Sequence, residues 1–194
     1  AMVDLGGGPT VQTIILDGSI RHSAVLPIGG QNLTKDLAIG LLTSQTEAEK
    51  IKMQYGIART DLVTGHETVE VPSVGDRPAR PFSRRDIAEM LEPRVEEMFE
   101  LVRREIARAG YEGILGAGVV LTGGTSLLEG MPDAAEKVLN LPARRGTPSG
   151  VGGLRDIVSN PGHATGVGLL LHARKHADEL ETAGLRNGGA WTKM

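Results

Sequence analysis

The sequence predicts an α/β protein in which a mixed sheet with flanking helices carries an inserted α/β subdomain. Three observations favour this fold class. The chain opens with short apolar runs around a glycine-rich turn, the apolar run at 119–121 stops at two glycines, and a long amphipathic stretch lies between these regions. The 194 residues suffice for one large or two small domains with a core.

Composition excludes several function classes. A net charge of -3 and an aromatic content of 3% argue against a nucleic-acid surface, which needs clustered positive charge and stacking rings. The chain has no cysteine, so neither a disulfide framework nor a cysteine metal site is available. No apolar run approaches the roughly 18 residues of a membrane-spanning helix, and no signal-peptide pattern is visible.

The first stretch predicts an antiparallel meander. Its strands are expected at 2–5, 11–16 and 20–28, with a hairpin at Asp17-Gly18. A chain that opens directly on a strand is expected to be a fragment of a longer protein, with Ala1-Met2 as a cloning scar.

Three successive glycines, Gly6, Gly7 and Gly8, lie between the first two predicted strands. Their backbone N–H groups can turn toward one point, which suits a phosphate. The alternative is a loose hairpin loop with no ligand. Pro9 removes a backbone donor from this turn.

The next segment predicts two helices. Asn32 is a candidate cap for the first, and Thr46–Glu49 has the capping-box pattern for the second, which Gly56 ends. Glu49 and Lys52 lie on one face of that helix, where they could hold a ribose or a base edge. The alternative, favoured by the residues alone, is a capping glutamate and a solvated lysine.

An exposed strand is predicted at 67–71, followed by a rigid loop at 72–81. Ser83 with Asp86 is expected to start the longest helix, which runs to about Ala109. Its apolar stripe has a clear 3.6-residue period and comprises Ile87, Met90, Leu91, Val95, Met98, Phe99, Val102 and Ile106.

Arg94 lies at the edge of this stripe. With Arg80 and Arg84 it predicts a basic patch beside an apolar groove that includes Met98. That combination suits an acidic-apolar peptide tail of a partner protein. The alternative is that Arg94 lays its aliphatic stem over the core and keeps its charged head in water.

The second glycine turn follows the apolar run at 119–121. Gly123 and Gly124 let the backbone approach a ligand closely, and the helix that starts after Thr125 aims free N–H groups at an anion or a polar ring. The alternative is a tight strand-to-helix turn without a ligand.

The remaining chain is expected to form a helix at 126–140 bent by Pro132, a loop at 141–153 with the basic pair Arg144-Arg145, and a helix at 164–176. The tail at 177–194 is expected to be disordered. His172 and His176 have a metal-compatible spacing but no acidic companion, so no metal site is predicted.

These elements divide into two parts. Residues 1–30 and 116–176 form a discontinuous base, and residues 31–115 form an inserted tip subdomain. A phosphate turn, a glycine turn and a helix with an acid and a lysine would converge on one cleft that suits a nucleotide.

The same motifs resemble those of a known family. D-L-G-G-G at 4–8, A-E-K-I-K at 48–52 and L-T-G-G-T-S at 121–126 are similar to actin-like ATPases, including MreB, Hsp70 and sugar kinases. V-P-S-V-G-D-R-P-A-R at 71–80, E-P-R at 92–94 and N-P-x-x-A-T-G-V-G-L-L at 160–170 narrow the resemblance to the C-terminal half of the FtsA family of bacterial cell-division proteins, over residues 1–176.

The resemblance implies an actin-like, ribonuclease H-like fold, binding of ATP with Mg, polymerisation into protofilaments, and tethering of FtsZ at the cytoplasmic face of the cell membrane. Four groups of residues carry the implied contacts: Gly6, Gly7 and Gly8 for phosphate; Gly123, Gly124 and Thr125 for adenosine; Glu49 and Lys52 for the ribose and base; Arg80 and Arg94 for the acidic tail of FtsZ.

The departures from the family pattern limit what this chain is expected to do. The family usually has G-G-G-T-T-D at the phosphate turn, whereas Pro9 and Val11 here remove a donor and an acid. The first half of the fold and the family's C-terminal amphipathic membrane helix are not evident. We therefore expect weak or no nucleotide binding, no hydrolysis, and contact with a membrane only through partners.

Three functions follow as hypotheses. The leading one is a module that binds the FtsZ tail and supplies half of an ATP cleft. The second is a subunit of an MreB- or Hsp70-like ATPase that needs a missing partner half. The third is a filament subunit that stacks through exposed strand edges.

Overall fold

A computed structural model describes residues 1–75, 77–150 and 158–177. Its strands are β1 (Met2–Leu5), β2 (Thr10–Leu16), β3 (Ser19–Leu26), β4 (Thr68–Val71), β5 (Arg80–Ser83), β6 (Val119–Thr122) and β7 (Ala143–Arg145). Its α-helices are α1 (Gly30–Leu41), α2 (Gln45–Tyr55), α3 (Arg84–Arg108), α4 (Met131–Leu139) and α5 (Ala164–Lys175), with short 3-10 helices at Thr60–Leu62, Gly124–Leu127 and Pro161–His163. The tail at 177–194 was predicted to be disordered, and beyond residue 177 it lies outside the described residues.

The main sheet has five strands in the order β3-β2-β1-β6-β7. The predicted meander is present: β1 pairs antiparallel with β2, and β2 pairs antiparallel with β3. Asp17 and Gly18 both have positive φ, 51° and 72°, as a tight hairpin of this kind requires. On the other side β1 pairs parallel with β6, which pairs parallel with β7. The two glycine turns therefore follow neighbouring strands.

Two predicted loops contain short strands. Residues 80–83 form β5, which pairs antiparallel with β4, and residues 143–145 form β7 at the edge of the main sheet. The loop prediction was wrong at both places because Pro81 and Pro142 suggested turns. A proline is compatible with an edge strand, since it lacks only one ladder donor.

The capping residues of two helices differ from the prediction. Gly29 is the N-cap of α1, and Asn32 is its third residue, whose Oδ1 accepts a hydrogen bond from Gly29 N at 3.0 Å. Helix α2 is capped by Ser44, whose Oγ accepts from Glu47 N at 3.2 Å. Glu49 is therefore one turn inside the helix and is not a capping partner.

Helix α3 begins as predicted, with Ser83 and Asp86 in a reciprocal capping box. Its apolar stripe packs into the core against α1 and α4. Met98 is 0% exposed, so its prediction as a partner-binding residue was wrong: it belongs to the stripe that the core buries. Because α3 contacts elements of both predicted parts, the division at residue 116 stays a prediction.

Within the described residues, no helix is both long enough and apolar enough to cross a membrane.

Candidate functional site

The two glycine turns and the start of α1 meet at the carbonyl oxygen of Gly6. This oxygen accepts a hydrogen bond from Gly30 N at 2.9 Å and another from Thr125 Oγ1 at 3.0 Å. Beside it, Gln31 N donates to Gly7 O at 2.7 Å. Residues more than a hundred positions apart in the sequence thus form one rim, which the sequence analysis predicted from the glycine turns alone.

The glycines around this rim are of two kinds. A Cβ at Gly29 would lie 2.8 Å from Gly6 O and still closer to Gly8 O, and a Cβ at Gly123 would overlap with Asp4 and Leu5. At Gly7, Gly8 and Gly124, by contrast, no heavy atom of the described residues, apart from those of the glycine and its two chain neighbours, lies within 4 Å of a Cβ position. Packing explains the first kind, whereas the second kind leaves open surface against which a ligand could lie.

Lys52 is at the centre of the site and is only 8% exposed. Its Nζ donates hydrogen bonds to Glu49 Oε2 at 2.7 Å, Thr34 Oγ1 at 2.9 Å and Gly30 O at 3.1 Å. Two acceptors on α1 and one on α2 therefore hold this ammonium group in place. The residue pattern alone had suggested a solvated lysine, which the structure does not show.

Glu49 completes this cluster and remains half-exposed. The Thr34 hydroxyl donates to its carboxylate. Burial alone would raise the pKa of Glu49, but the hydrogen bonds from Lys52 and Thr34 outweigh it and lower that pKa. The carboxylate is therefore ionised at neutral pH and can accept hydrogen bonds from hydroxyl or amino groups of a ligand.

Two cavities lie on either side of Lys52, which lines both. One, of about 440 Å³, also contacts Gly7, Gln31, Thr34 and Glu49. The other, of about 320 Å³, is lined by Leu33, Lys52, Met53, Gln54, Gly56, Arg84, Gly124, Thr125, Leu127, Leu128 and Glu129. We call the two cavities together the groove; their lining residues extend from Gly7 in the glycine turn of β1, through Lys52, to Arg84 in the first turn of α3.

The turn after β6 is held by two distant segments. Pro161 O accepts from Gly123 N and from Thr122 Oγ1, both at 3.0 Å. On the other side Arg145 donates to Ser126 O and, at 3.0 Å, to Leu128 O. Sequence reasoning missed Arg145 as a support of this turn, because an adjacent arginine pair in a loop carries no signal of its partners.

The three arginines of the predicted basic patch do not lie together. Arg80 Nη2 donates to Leu41 O at 2.9 Å, and Arg94 pairs with Asp36, with Nε 2.6 Å from Oδ2, so both lie against α1. Arg84 instead points into the second cavity, where it contacts Tyr55 and Glu129. Arg84 and Arg94 are ten residues apart on α3, which is not a whole number of helical turns. They therefore project from different sides of the helix.

We use the term α1 surface for Arg80 and Arg94 together with three exposed apolar side chains. Ile39 is 72%, Leu42 47% and Val74 55% exposed. Arg94 also pairs with Glu97, so its guanidinium already has two acidic partners. Hydrogen bonding to Asp36, against a smaller effect of burial, raises the pKa of Arg94.

No group of three or more His, Cys, Asp or Glu side chains that could hold a metal ion occurs in the part of the chain that the structure describes. The His172 and His176 rings lie 4.2 Å apart, and His176 Nδ1 is 2.9 Å from His172 O. This pairing within the helix end accounts for their spacing.

Comparison with solved structures defines the class of fold. MreB5 of Spiroplasma citri bound to AMPPNP superposes on 94% of this chain and 54% of its own, with a TM-score of 0.72 and 18% identity. The MamK double helical filament matches 87% of this chain and 53% of its own, with a TM-score of 0.62 and 15% identity. The chain is thus an actin-like α/β domain, as the resemblance implied.

Sequence comparison defines the family. The sequence model of "Cell division protein FtsA" matches residues 1–168. Cell division protein FtsA of Pseudomonas aeruginosa is 49% identical over 92% of this chain and 43% of its own length, and that of Escherichia coli K12 is 37% identical over 99% and 48%. The chain therefore belongs to the FtsA family of cell division proteins, and it spans less than half the length of these relatives.

Proposed function

We propose that this chain supplies one half of an ATP-binding cleft and that its α1 surface binds the C-terminal tail of FtsZ. The observation that carries the cleft is the meeting of both glycine turns and α1 at Gly6 O, next to the buried Lys52. The solved MreB5 structure, which shares this fold, is bound to AMPPNP.

The residues present fit the nucleoside end of such a ligand. Gly124 offers open backbone to a flat base, and Glu49 and Lys52 offer an acceptor and a cation to the ribose and base edge. Gly7 and Gly8 leave room for phosphate, although Pro9 contributes no N–H there. ATP with Mg would add the phosphate charge and its counterion. In a protein of the relatives' length, a second wall of the cleft would hold both.

With one wall alone, we expect nucleotide binding in the millimolar range or weaker and no hydrolysis. The test is titration of the chain with ATP and Mg followed by NMR, with phosphate release measured on the same samples. Shifts should concentrate at Gly56, Gly124 and Thr125. Gly124→Val should abolish them, because its side chain would enter the open space beside the turn.

Gly116→Val is the matched control, since Gly116 is equally open but does not line either cavity. Shifts that persist in Gly124→Val, or that appear far from the groove, would contradict the proposed cleft. Sustained phosphate release would instead favour the rival function, an ATPase completed by a second chain.

The α1 surface supports the peptide proposal through its chemistry. Ile39 and Leu42 are exposed apolar side chains of α1 and its C-cap, and both guanidinium groups contact the same helix. Arginines beside exposed apolar side chains suit an acidic peptide with apolar anchors. Arg80 donates to a backbone carbonyl, so its positive charge is not compensated by that partner. A carboxylate of the incoming peptide would therefore pair with Arg80. At Arg94 it would replace Asp36 or Glu97.

A titration with an FtsZ tail peptide tests this surface. Arg94→Glu should weaken binding at least tenfold, because it places a like charge opposite the acidic peptide. Arg103→Glu is the control, since Arg103 is an exposed α3 arginine paired with Glu100, just as Arg94 is paired with Glu97. Equal binding by parent and Arg94→Glu would show that the tail docks elsewhere.

In proteins of the relatives' full length, this half would contribute to tethering FtsZ at the inner face of the cell membrane at the division site and to polymerisation. A filament role has support of its own in this chain. The β3 edge of the sheet exposes Ile20 at 70% and Val25 at 66%. Sedimentation across a concentration series should show self-association that Val25→Lys reduces.

A further inference from the structure

An ion pair between Arg84 and Glu129 lines the 320 Å³ cavity, which Gly7 does not line. Arg84 Nη2 donates to Glu129, and Arg84 Nε donates to Tyr55 O at 3.1 Å. The Arg84 side chain is only 20% exposed. Its guanidinium is thus fixed by α2 on one side and by the segment before α4 on the other.

Arg84 retains donors that its own protein does not use. A guanidinium has five N–H groups in a planar fork. Among the described residues, the two N–H groups of Arg84 Nη1 have no hydrogen-bond acceptor. The guanidinium is already held in place through Nε and Nη2, and a donor fixed in this way binds an acceptor with little loss of entropy.

The position of Arg84 along the groove identifies the part of a ligand that it would meet. Gly7 lines only the cavity on one side of Lys52, and Arg84 lines only the cavity on the other side. A phosphate at the glycine turn would therefore place the base toward Arg84. Met53 and Leu127 line the same cavity and are 78% and 48% exposed, so apolar side chains are available for the faces of a planar ring.

We propose that Arg84 is a base-recognising residue of the cleft: its Nη1 group donates to a ring nitrogen on the edge of a purine, and Glu129 accepts from the neighbouring amino group. Adenine offers this pairing, since its amino group lies between two ring nitrogens that accept hydrogen bonds. The inference rests on the proposed cleft and adds the residues that select the base.

Adenosine and two analogues test this assignment by NMR titration of the chain. In 1-deazaadenosine and 7-deazaadenosine, one ring nitrogen beside the amino group is replaced by a carbon–hydrogen group. One of the two should bind the parent about tenfold more weakly than adenosine, the usual effect of losing a hydrogen bond to a charged group. Arg84→Met should weaken adenosine binding by a similar factor and remove the difference between the analogues.

Arg85→Met is the matched control, because Arg85 is the adjacent arginine, is 62% exposed in its side chain and pairs with Glu89 away from the cavity. It should retain the parent's preference. Should Arg84→Met fail to fold, Arg84→Lys keeps the charge but loses the planar fork and should also lose the preference.

The outcomes separate this inference from the proposed cleft. If the parent binds adenosine but treats both analogues alike, or if the preference survives in Arg84→Met, Arg84 does not read the base and only this inference is overturned. If adenosine produces no shifts at Gly56, Gly124 and Thr125 at any concentration, the cleft itself is overturned together with it.

Discussion

The groove around Lys52 and the α1 surface around Arg94 both bring cations next to acids, but they do so differently. Lys52 is almost fully buried and shares its three hydrogen bonds with one carboxylate, one hydroxyl and one carbonyl. Arg94 is 31% exposed in its side chain and pairs with two carboxylates. Open space adjoins the first cation, whereas acids already surround the second.

This difference indicates two modes of binding. A ligand in the groove would meet groups that are already in place, so binding there should depend on shape and depend weakly on salt. A peptide on the α1 surface would have to exchange ion pairs at the protein surface, so its binding should fall as salt rises. Four substitutions test whether the two regions differ in this way.

The largest effect is expected at the rim of the groove. Gly29→Ala should destabilise the protein by about 3 kcal/mol, because its Cβ would overlap with the carbonyl oxygens of Gly6 and Gly8. Gly124→Ala should change stability by less than about 0.5 kcal/mol. Urea unfolding of both variants measures the difference, and equal destabilisation would mean that packing, not a ligand, explains both kinds of glycine.

Lys52 should have the next largest effect. Lys52→Met removes the cation that Glu49, Thr34 and Gly30 share, and we expect a loss of about 2 kcal/mol in the free energy of unfolding. Lys50→Met, two residues away on the same helix, is the control, since the Lys50 side chain is 67% exposed and pairs with Glu47 at the surface. It should cost less than about 0.5 kcal/mol. Similar losses in both variants would contradict the central position of Lys52.

The sequence predicted most of this groove because its signals are local. Glycines after apolar runs marked both turns, and the close spacing of Glu49 and Lys52 marked one helix face. The resemblance then assigned these residues to one ligand. What the sequence could not predict was the depth of burial of Lys52, since a lysine on an amphipathic helix is usually solvated.

The arginines were harder to place because their partners are distant in sequence. Arg94 and Asp36 are fifty-eight positions apart, and Arg84 reaches Glu129 across forty-five. Proximity in the sequence grouped Arg80, Arg84 and Arg94, whereas in the structure Arg80 and Arg94 contact α1 and Arg84 projects from a different side of α3. Met98 was assigned to the surface for the same reason, although its place in the apolar stripe already indicated the core.

Glu105, a buried carboxylate near the C-terminal end of α3, provides a reference ion pair outside the groove and the α1 surface. Hydrogen bonds from Arg108, opposed by burial and aided by His22, lower the pKa of Glu105 to about 2. A lowered folded-state pKa stabilises the protein above the unfolded pKa of about 4.3, and this contribution is lost as the pH falls toward 2.

Glu105→Gln should therefore reduce the free energy of unfolding by about 1.5 kcal/mol at pH 7 and by progressively less as the pH falls below 4. Urea unfolding at pH 7, 5 and 3 measures this change. A difference between parent and variant that is the same at all three values would mean that charge on Glu105 does not contribute. Glu100→Gln, at an exposed i,i+3 pair of the same helix, should show almost no effect at any pH.

The smallest effect on stability, and the sharpest test of the comparison, is expected at Asp36. Asp36→Asn leaves Arg94 with Glu97 as its acidic partner, and loss of this partly exposed pair should cost no more than about 0.5 kcal/mol. Because a peptide carboxylate would no longer compete with Asp36, affinity for the FtsZ tail should rise about threefold, and salt should weaken it more steeply. Glu100→Gln frees Arg103 in the same way on another part of α3 and should leave peptide affinity unchanged. If Asp36→Asn lowers the affinity, Asp36 itself holds the peptide or orients Arg94 for it, and the α1 surface would then be preorganised like the groove rather than rearranged by its ligand.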